Sequence, residues 1–159
     1  EVYVMVGDGS YLMLAQELVT AISEGIKLIV VLVQNHGFAS IGGLSRSIGS
    51  GGFGTRYRYR DADRELAGDE LPVDLAANAE SLGASVLRAA SIDELHEALK
   101  IARDAHRTTV IHVDADPEVS VPSYGSWWDV PVAEVSSSEA VRAARRDYEE
   151  ARRRLRPYL

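Results

Sequence analysis

The stretch from Lys27 to Gln34 is an almost unbroken run of Leu, Ile and Val. A strand with one wet face alternates apolar and polar residues. A continuous run belongs instead to a strand covered on both faces, as in a parallel sheet between layers of helices. The preceding sequence fits that architecture. Val2 to Val6 reads as a first strand, ended by Gly7. Tyr11 to Gly25 reads as one helix, with Leu14, Leu18, Ala21 and Ile22 at helical spacing and Gly25 as its stop. A strand, a helix and a second strand in this order form a right-handed parallel crossover.

From Phe38 to about Leu71 the periodicity fails. Gly42, Gly43, Gly49, Gly51, Gly52 and Gly54 do not suit one regular element. Tyr57 to Arg60 reads as a short edge strand at most, and Asp61 to Glu70 is polar and acidic. A segment this long without structure is more often a lid or partner-dependent loop than a passive connection. It is expected to be poorly ordered in the isolated chain.

Regular patterning returns at Pro72, which is placed at the first position of a helix. That helix carries Leu75, Ala76, Ala79 and Leu82 and stops at Gly83. Ala84 to Leu87 is a short strand. Ser91 and Glu94 form a capping box that opens a helix through about Ala105. Thr108 to Val113 is the last strong strand. A loop over 118–134 carries Pro122, Trp127, Trp128 and Pro131, the tryptophans read as packing residues. Ser136 and Glu139 form a second capping box for a C-terminal helix over 137–155. Val141, Ala144, Tyr148, Ala151 and Leu155 make one apolar stripe along it. The expected fold is α/β: three layers, α/β/α, around a mostly parallel sheet, in one domain over 1–159 with an insertion at 38–71.

Composition removes several function classes. The chain has no Cys, which excludes disulfides, thiolate nucleophiles and thiolate metal sites and points to a reducing, cytoplasmic compartment. A net charge of -7 argues against a nucleic-acid partner. The run Arg152-Arg153-Arg154 is diluted by Asp147, Glu149 and Glu150, and complements a helix C-terminus. The longest apolar stretch, Ile26 to Val33 broken by Lys27, is too short to cross a membrane. Glu1 enters directly into the strand that carries the main motif, so the chain reads as a fragment of a longer protein.

Gly7-Asp8-Gly9-Ser10 ends the first strand, and Gln34-Asn35-His36-Gly37 ends the second. Parallel pairing brings both to the carboxyl end of the sheet, where open α/β folds bind ligands. The chemistry suits a divalent ion held against a diphosphate. Mg²⁺ takes about six oxygens near ~2.1 Å, of which the protein must supply about three beside phosphate and water. Asp8 offers a charged oxygen, Asn35 a neutral amide oxygen and Gly37 a backbone carbonyl. Gly7 and Gly9 allow a sharp turn and close approach to phosphate. The N–H groups of Gly9 and Ser10, with the Ser10 hydroxyl, would face phosphate oxygens. Neither GxGxxG nor a phosphate-loop Gly-Lys-Ser/Thr is present. His36 is a candidate for a catalytic role near substrate or cofactor. His96, His106 and His112 lack ligand spacing for zinc. Gly-Asp-Gly is also a common turn, so the residues alone leave open a noncatalytic α/β domain with a structural ion.

Together these two strings resemble the diphosphate-binding domain of thiamine-diphosphate enzymes. The resemblance implies thiamine diphosphate with Mg²⁺ or Ca²⁺, the ion held at Asp8, Asn35 and Gly37. The family usually has two successive Asn; Gln34 replaces the first here. Val33 to Ser45, Phe53 to Arg58 and the ending Arg156 to Leu159 are similar to the family's inositol-catabolism branch, a likeness covering essentially the whole chain. That branch hydrolyses a carbon–carbon bond in a cyclic 1,2-dione, converting trihydroxycyclohexane-1,2-dione to 5-deoxyglucuronate. In this family the cofactor supplies the electron sink and the protein supplies orientation and proton transfer. The activating glutamate lies in an earlier domain, usually the partner subunit's, and no part of this chain matches it. The resemblance therefore implies a homo-oligomer, N-terminal domains of the same protein as partners, and an inactive isolated chain. The competing enzymatic reading is a carboligase such as an acetolactate-synthase relative.

Overall fold

The computed structural model describes residues 1–119, 127 and 129–155. In chain order the elements are β1 (Val2–Gly7), α1 (Asp8–Leu14), α2 (Glu17–Ser23), β2 (Leu28–Gln34), α3 (Ala39–Ser47), α4 (Leu75–Ser81), β3 (Ser85–Ala89), α5 (Ile92–Asp104), β4 (Thr109–Asp114) and α6 (Glu139–Arg154). The four strands form one sheet in the order β1-β2-β4-β3, every pair parallel. Gly7 pairs with Val33 and Gln34 with Asp114, so the ends of β1, β2 and β4 lie level at the carboxyl edge.

The β2 run splits by parity between two cores. Val30 and Leu32 join Tyr11, Leu18, Leu75, Ala79 and Val110 under α1, α2 and α4. Ile29 joins Ala89, Ala98, Ala102 and Ile111 under α5. Burial on both faces is why the run lacks polar alternation, and the expected three-layer α/β/α arrangement is present. A third cluster, Val132, Val141 and Tyr148 with Ile48 and Ala144, packs α6 onto the end of α3. β1 is the outer strand: Tyr3 is 53% and Met5 81% exposed, and its far edge is unpaired among the described residues.

Several local expectations need correction. The single helix over 11–25 is two helices, and the first begins at Asp8 itself. Between them Leu18 N–H donates to Ala15 O (3.2 Å) and Val19 N–H to Gln16 O (2.9 Å), a tighter turn than the α-helix. Gly25 does stop α2, at φ +66°. The insertion is not structureless. It contains α3, and the chain returns to bond Phe38 N–H to Thr55 O (2.8 Å), Tyr57 N–H to His36 O (3.2 Å) and Leu71 N–H to Tyr57 O (2.8 Å). Tyr57 to Arg60 makes no strand; only bridges at Gly37–Arg56 and Arg58–Glu70 form.

Pro72 does not begin α4. Asp74 caps it, its Oδ1 accepting from Ala77 N–H at 2.9 Å. The capping box at α5 is present, with Ser91 Oγ accepting from Glu94 N–H (3.2 Å) and Glu94 Oε2 reaching back to Ala90 N–H (2.8 Å). The second box is absent. Ser138 precedes α6 without a side-chain bond, Ser136 Oγ accepts from Ser138 N–H, and Glu139 instead pairs with Arg142 and Arg146. Trp127 packs near Tyr148, ring centres 6.0 Å apart. Trp128, Pro122 and Arg156 to Leu159 lie outside the described residues.

Candidate functional site

Asp8 is the first residue after β1 and sits in the first turn of α1, where a negative charge is favoured by the helix dipole. It is 1% exposed, yet no Lys or Arg pairs with it among the described residues. Its compensation is backbone. Oδ1 accepts from Gly9 N–H at 2.9 Å, and Oδ2 from Asn35 N–H at 3.2 Å and Gly37 N–H at 3.0 Å. The Asp8 carboxylate thus ties the end of β1 to the loop after β2. The Gly9 N–H is consumed by this bond, contrary to its expected orientation toward phosphate. Ser10 is exposed at the same helix start.

The loop after β2 turns through His36, whose φ of 59° is left-handed and unusual for a non-glycine residue. That turn brings the Asn35 amide and the Gly37 carbonyl to one side. One terminal atom of the Asn35 amide lies 3.2 Å from Asp8 Oδ1 and 3.0 Å from Gly37 O. With NH₂ in that place the amide donates to both oxygens. With the amide turned over, its oxygen faces both of the others. Adjacent ligands of an octahedral ion with ~2.1 Å bonds stand about 3.0 Å apart, so both spacings suit an Asn35 oxygen with a neighbouring ligand on either side. A buried carboxylate without a cation, an amide oxygen and a carbonyl fit a hard divalent ion. Among the described residues no group of three or more His, Cys, Asp or Glu side chains offers another metal site.

The glycines differ in what they permit. A Cβ on Gly9 would lie 2.6 Å from the Phe38 ring, and one on Gly37 would lie 2.2 Å from Thr55 O. Both glycines therefore serve internal packing as well as any ligand. Gly7 has φ -78°, and a Cβ there would meet nothing within 4 Å. The fold makes no demand for glycine at position 7, and the open space beside it is where a ligand's close approach would exclude a side chain.

Tyr57 was not singled out by sequence as a site residue. Its ring packs edge-on against Phe38, centroids 6.2 Å apart, and Phe38 in turn covers Gly9. Its hydroxyl is buried and has no hydrogen-bond partner, the one such side-chain atom among the described residues. Burial, with the Asp8 charge adding to it, pushes the phenol up to about 12. A buried hydroxyl normally finds a partner. A Tyr in the Tyr57-Arg58-Tyr59-Arg60 run carries no sequence signal of this kind.

His36 lies on the other side of Asn35, at a cavity of about 350 Å³ that Gln34, Asp74, Arg88, His112 and Asp114 also line. Gln34 organises it. Its Oε1 is 2.8 Å from His112 Nε2, while its Nε2 donates to Val73 O (3.0 Å) and lies 3.3 Å from His36 Nδ1. The longer Gln in place of Asn is what reaches His112. Burial holds the His112 imidazole below its ordinary 6.5, against the opposing charge of Asp114. His36 Nε2 stands 4.0 Å from Asp114 Oδ1.

Comparison with known proteins identifies the family. Residues 1–113 match the family model described as thiamine pyrophosphate enzyme, C-terminal TPP binding domain. The chain is 46% identical over 145 residues to a 3D-(3,5/4)-trihydroxycyclohexane-1,2-dione hydrolase 2 of Bacillus cereus, covering 91% of this chain and 22% of that protein. A Bacillus thuringiensis (strain Al Hakam) 3D-(3,5/4)-trihydroxycyclohexane-1,2-dione hydrolase is 43% identical over the same lengths. The chain thus spans about a fifth of these relatives. Among solved structures, the benzoylformate decarboxylase of Polynucleobacter necessarius shares the fold with a TM-score of 0.58 at 24% identity, over 75% of this chain and 20% of that one. A Rhodococcus jostii RHA1 thiamine diphosphate-dependent 4-hydroxybenzoylformate decarboxylase gives 0.57 at 22% identity, over 73% and 20%. The chain belongs to the thiamine pyrophosphate enzymes, as their C-terminal TPP-binding domain.

Proposed function

We propose that this domain serves a thiamine-diphosphate-dependent enzyme that hydrolyses a carbon–carbon bond of a cyclic 1,2-dione. The buried Asp8 carboxylate, facing an amide and a carbonyl and paired with no Lys or Arg among the described residues, is the observation that carries the metal and diphosphate assignment. Asp8, Asn35 and Gly37 would hold Mg²⁺ or Ca²⁺, and the backbone at Gly7, Gly9 and Ser10 would lie beside the diphosphate. Bound thiamine diphosphate supplies the electron sink for bond cleavage. The residues of this chain orient it and limit water at the ion. The dione as substrate rests on the relatives' names and on identities of 43 to 46%.

His36, which lines the cavity with His112 and Asp114 beside Asn35, would meet substrate or cofactor under this reading. Further domains of the same polypeptide and a second copy would complete the site, including the activating acid. No described helix is long and apolar enough to cross a membrane. The absence of Cys favours the cytoplasm. In assays of a full-length enzyme, trihydroxycyclohexane-1,2-dione should be consumed only with thiamine diphosphate and Mg²⁺, and without pyruvate. The 159-residue chain alone should give no turnover. A requirement for pyruvate would favour the carboligase reading and overturn this one.

Tyr57 supplies a sharper test of the local geometry. Under this reading its unpaired hydroxyl, close enough to feel the Asp8 charge, would donate to an oxygen of the bound diphosphate or to ion-bound water. Tyr57→Phe should leave the melting temperature unchanged or raise it, because a buried unsatisfied group is removed. The same change should weaken cofactor binding about tenfold, the worth of a hydrogen bond to a charged group. Loss of stability with unaltered affinity would show that the hydroxyl serves the fold alone.

A further inference from the structure

Gln34 ends β2 in register with Asp114 at the end of β4, and His112 lies two residues earlier on the same face of β4. Gln34 and His112 are 3% and 4% exposed, so their polar atoms need partners inside the protein. The Gln34 amide can face only one way. Its Nε2 lies 3.0 Å from the Val73 carbonyl, which only accepts, so that position is NH₂ and the other is oxygen. Oε1 then needs a donor, and His112 supplies it as Nε2–H at 2.8 Å. The second N–H of the amide reaches His36 Nδ1 at 3.3 Å, which is therefore the bare, accepting nitrogen. A neutral imidazole with Nδ1 bare carries its proton on Nε2. The far side of the ring agrees. Asp114 Oδ1 stands 4.0 Å from His36 Nε2, near enough to favour an N–H there and too far to hold it in a hydrogen bond. Among the described residues nothing accepts from that N–H, and His36 lines the cavity of about 350 Å³.

We propose that Gln34 is a positioning residue: it holds the proton of His36 on Nε2 and so makes His36 a hydrogen-bond donor, not a base, toward a ligand oxygen in this cavity. The hydrogen bond at one ring nitrogen decides what the other can do, and here a single amide sets two imidazoles at once. Val73 and His112 are the anchors that keep the amide from turning over. An Asn at this position would be one methylene shorter, and its amide would fall short of His112. The departure from two successive Asn thus has a chemical role. The identity of the ligand oxygen rests on the dione reading above. A carbonyl oxygen of a cyclic dione gains negative charge when its carbon is attacked, and a preset N–H stabilises that charge without reorganisation. The proton stays on His36 throughout, so no bond to the imidazole is made or broken.

The proton positions are read by long-range ¹H–¹⁵N correlation spectra of the 159-residue chain, labelled at its four histidines. At about pH 9, above the ordinary histidine range, His36 and His112 should both carry the proton on Nε2. In Gln34→Glu the new carboxylate only accepts, so His36 should move its proton to Nδ1 while His112 keeps Nε2–H. Melting of the same samples reports the fold. Should Gln34→Glu fail to fold, Gln34→Met removes the donor without adding charge, and His36 should then populate both tautomers. In the full-length enzyme with thiamine diphosphate and Mg²⁺, Gln34→Glu should lower kcat for the dione about a hundredfold, as loss of one oxyanion donor does. KM and thiamine diphosphate affinity should not change, because the interaction is made in the transition state. A proton on Nδ1 of His36 in the wild-type chain overturns the proposal without any variant. So does a His36 that keeps Nε2–H alone in both variants, an unchanged kcat in Gln34→Glu, or a kcat that falls only in step with lost cofactor affinity. A wild-type enzyme that spares the dione contradicts the substrate reading and leaves the proton placement, read from the spectra, standing.

Discussion

Asp8→Ala is expected to reduce thiamine diphosphate affinity in the presence of Mg²⁺ by about a hundredfold or more, since even supporting residues around a metal are worth 10–100-fold. It should also destabilise the fold, by about 2–4 kcal/mol, because Asp8 accepts from the N–H groups of Gly9, Asn35 and Gly37 and all three would lose their partner. The two effects need separating. Asp8→Asn keeps a side-chain oxygen for the backbone donors while removing the charge that an ion requires. It should retain more of the stability than Asp8→Ala yet bind the ion poorly. Thermal melts beside titrations with and without Mg²⁺ read both quantities. An Asp8→Asn protein that binds cofactor with wild-type, magnesium-dependent affinity would remove Asp8 from the metal shell.

The second large effect belongs to glycine. Gly37→Ala would put a methyl group 2.2 Å from Thr55 O and 2.9 Å from Arg56 Cα. Both neighbours are backbone, held by bonds from Phe38 N–H to Thr55 O and from Tyr57 N–H to His36 O. Neither can swing aside as a side chain would. The expected loss is about 3 kcal/mol or more, at the upper end for overpacking. Relief of the clash would also displace the Gly37 carbonyl, so magnesium-dependent binding should fall with stability. Gly7→Ala is the matched control. A Cβ there meets open space and the backbone is already extended, so unfolding by denaturant should change by no more than about 0.5 kcal/mol. Under the proposed function the same alanine would still crowd the diphosphate and weaken its binding. Equal destabilisation by the two alanines would mean that the tight approach at Gly37 is not what holds the loop.

The layered architecture was legible because its signal is local. The unbroken β2 run, the helical spacing at Leu95, Ala98, Leu99 and Ala102, and the capping box at Ser91 each sit within a few residues of one another. Errors arose where a tertiary contact outweighed local preference. Gly42 and Gly43 argued against a helix, yet α3 forms through them, and Thr55 packs so close to Gly42 that a side chain there would collide. Pro72 marked a start that Asp74 makes instead, two residues on, through its bond to Ala77 N–H. At α6 the side chain of Glu139 had better partners in Arg142 and Arg146 than the backbone it was expected to cap.

By itself the chain's order of residues determined that Asp8 and Asn35 follow adjacent parallel strands, because each element's period and each strand's end are written locally. Tertiary structure alone decided that β4 inserts between β2 and β3, that the left-handed turn at His36 aims Asn35 and Gly37 at Asp8, and that Tyr57 and Arg46 reach the same neighbourhood from the insertion. The physical reason is distance along the chain. Strand register and crossover place groups dozens of residues apart within a few ångströms, and that proximity has no period to read.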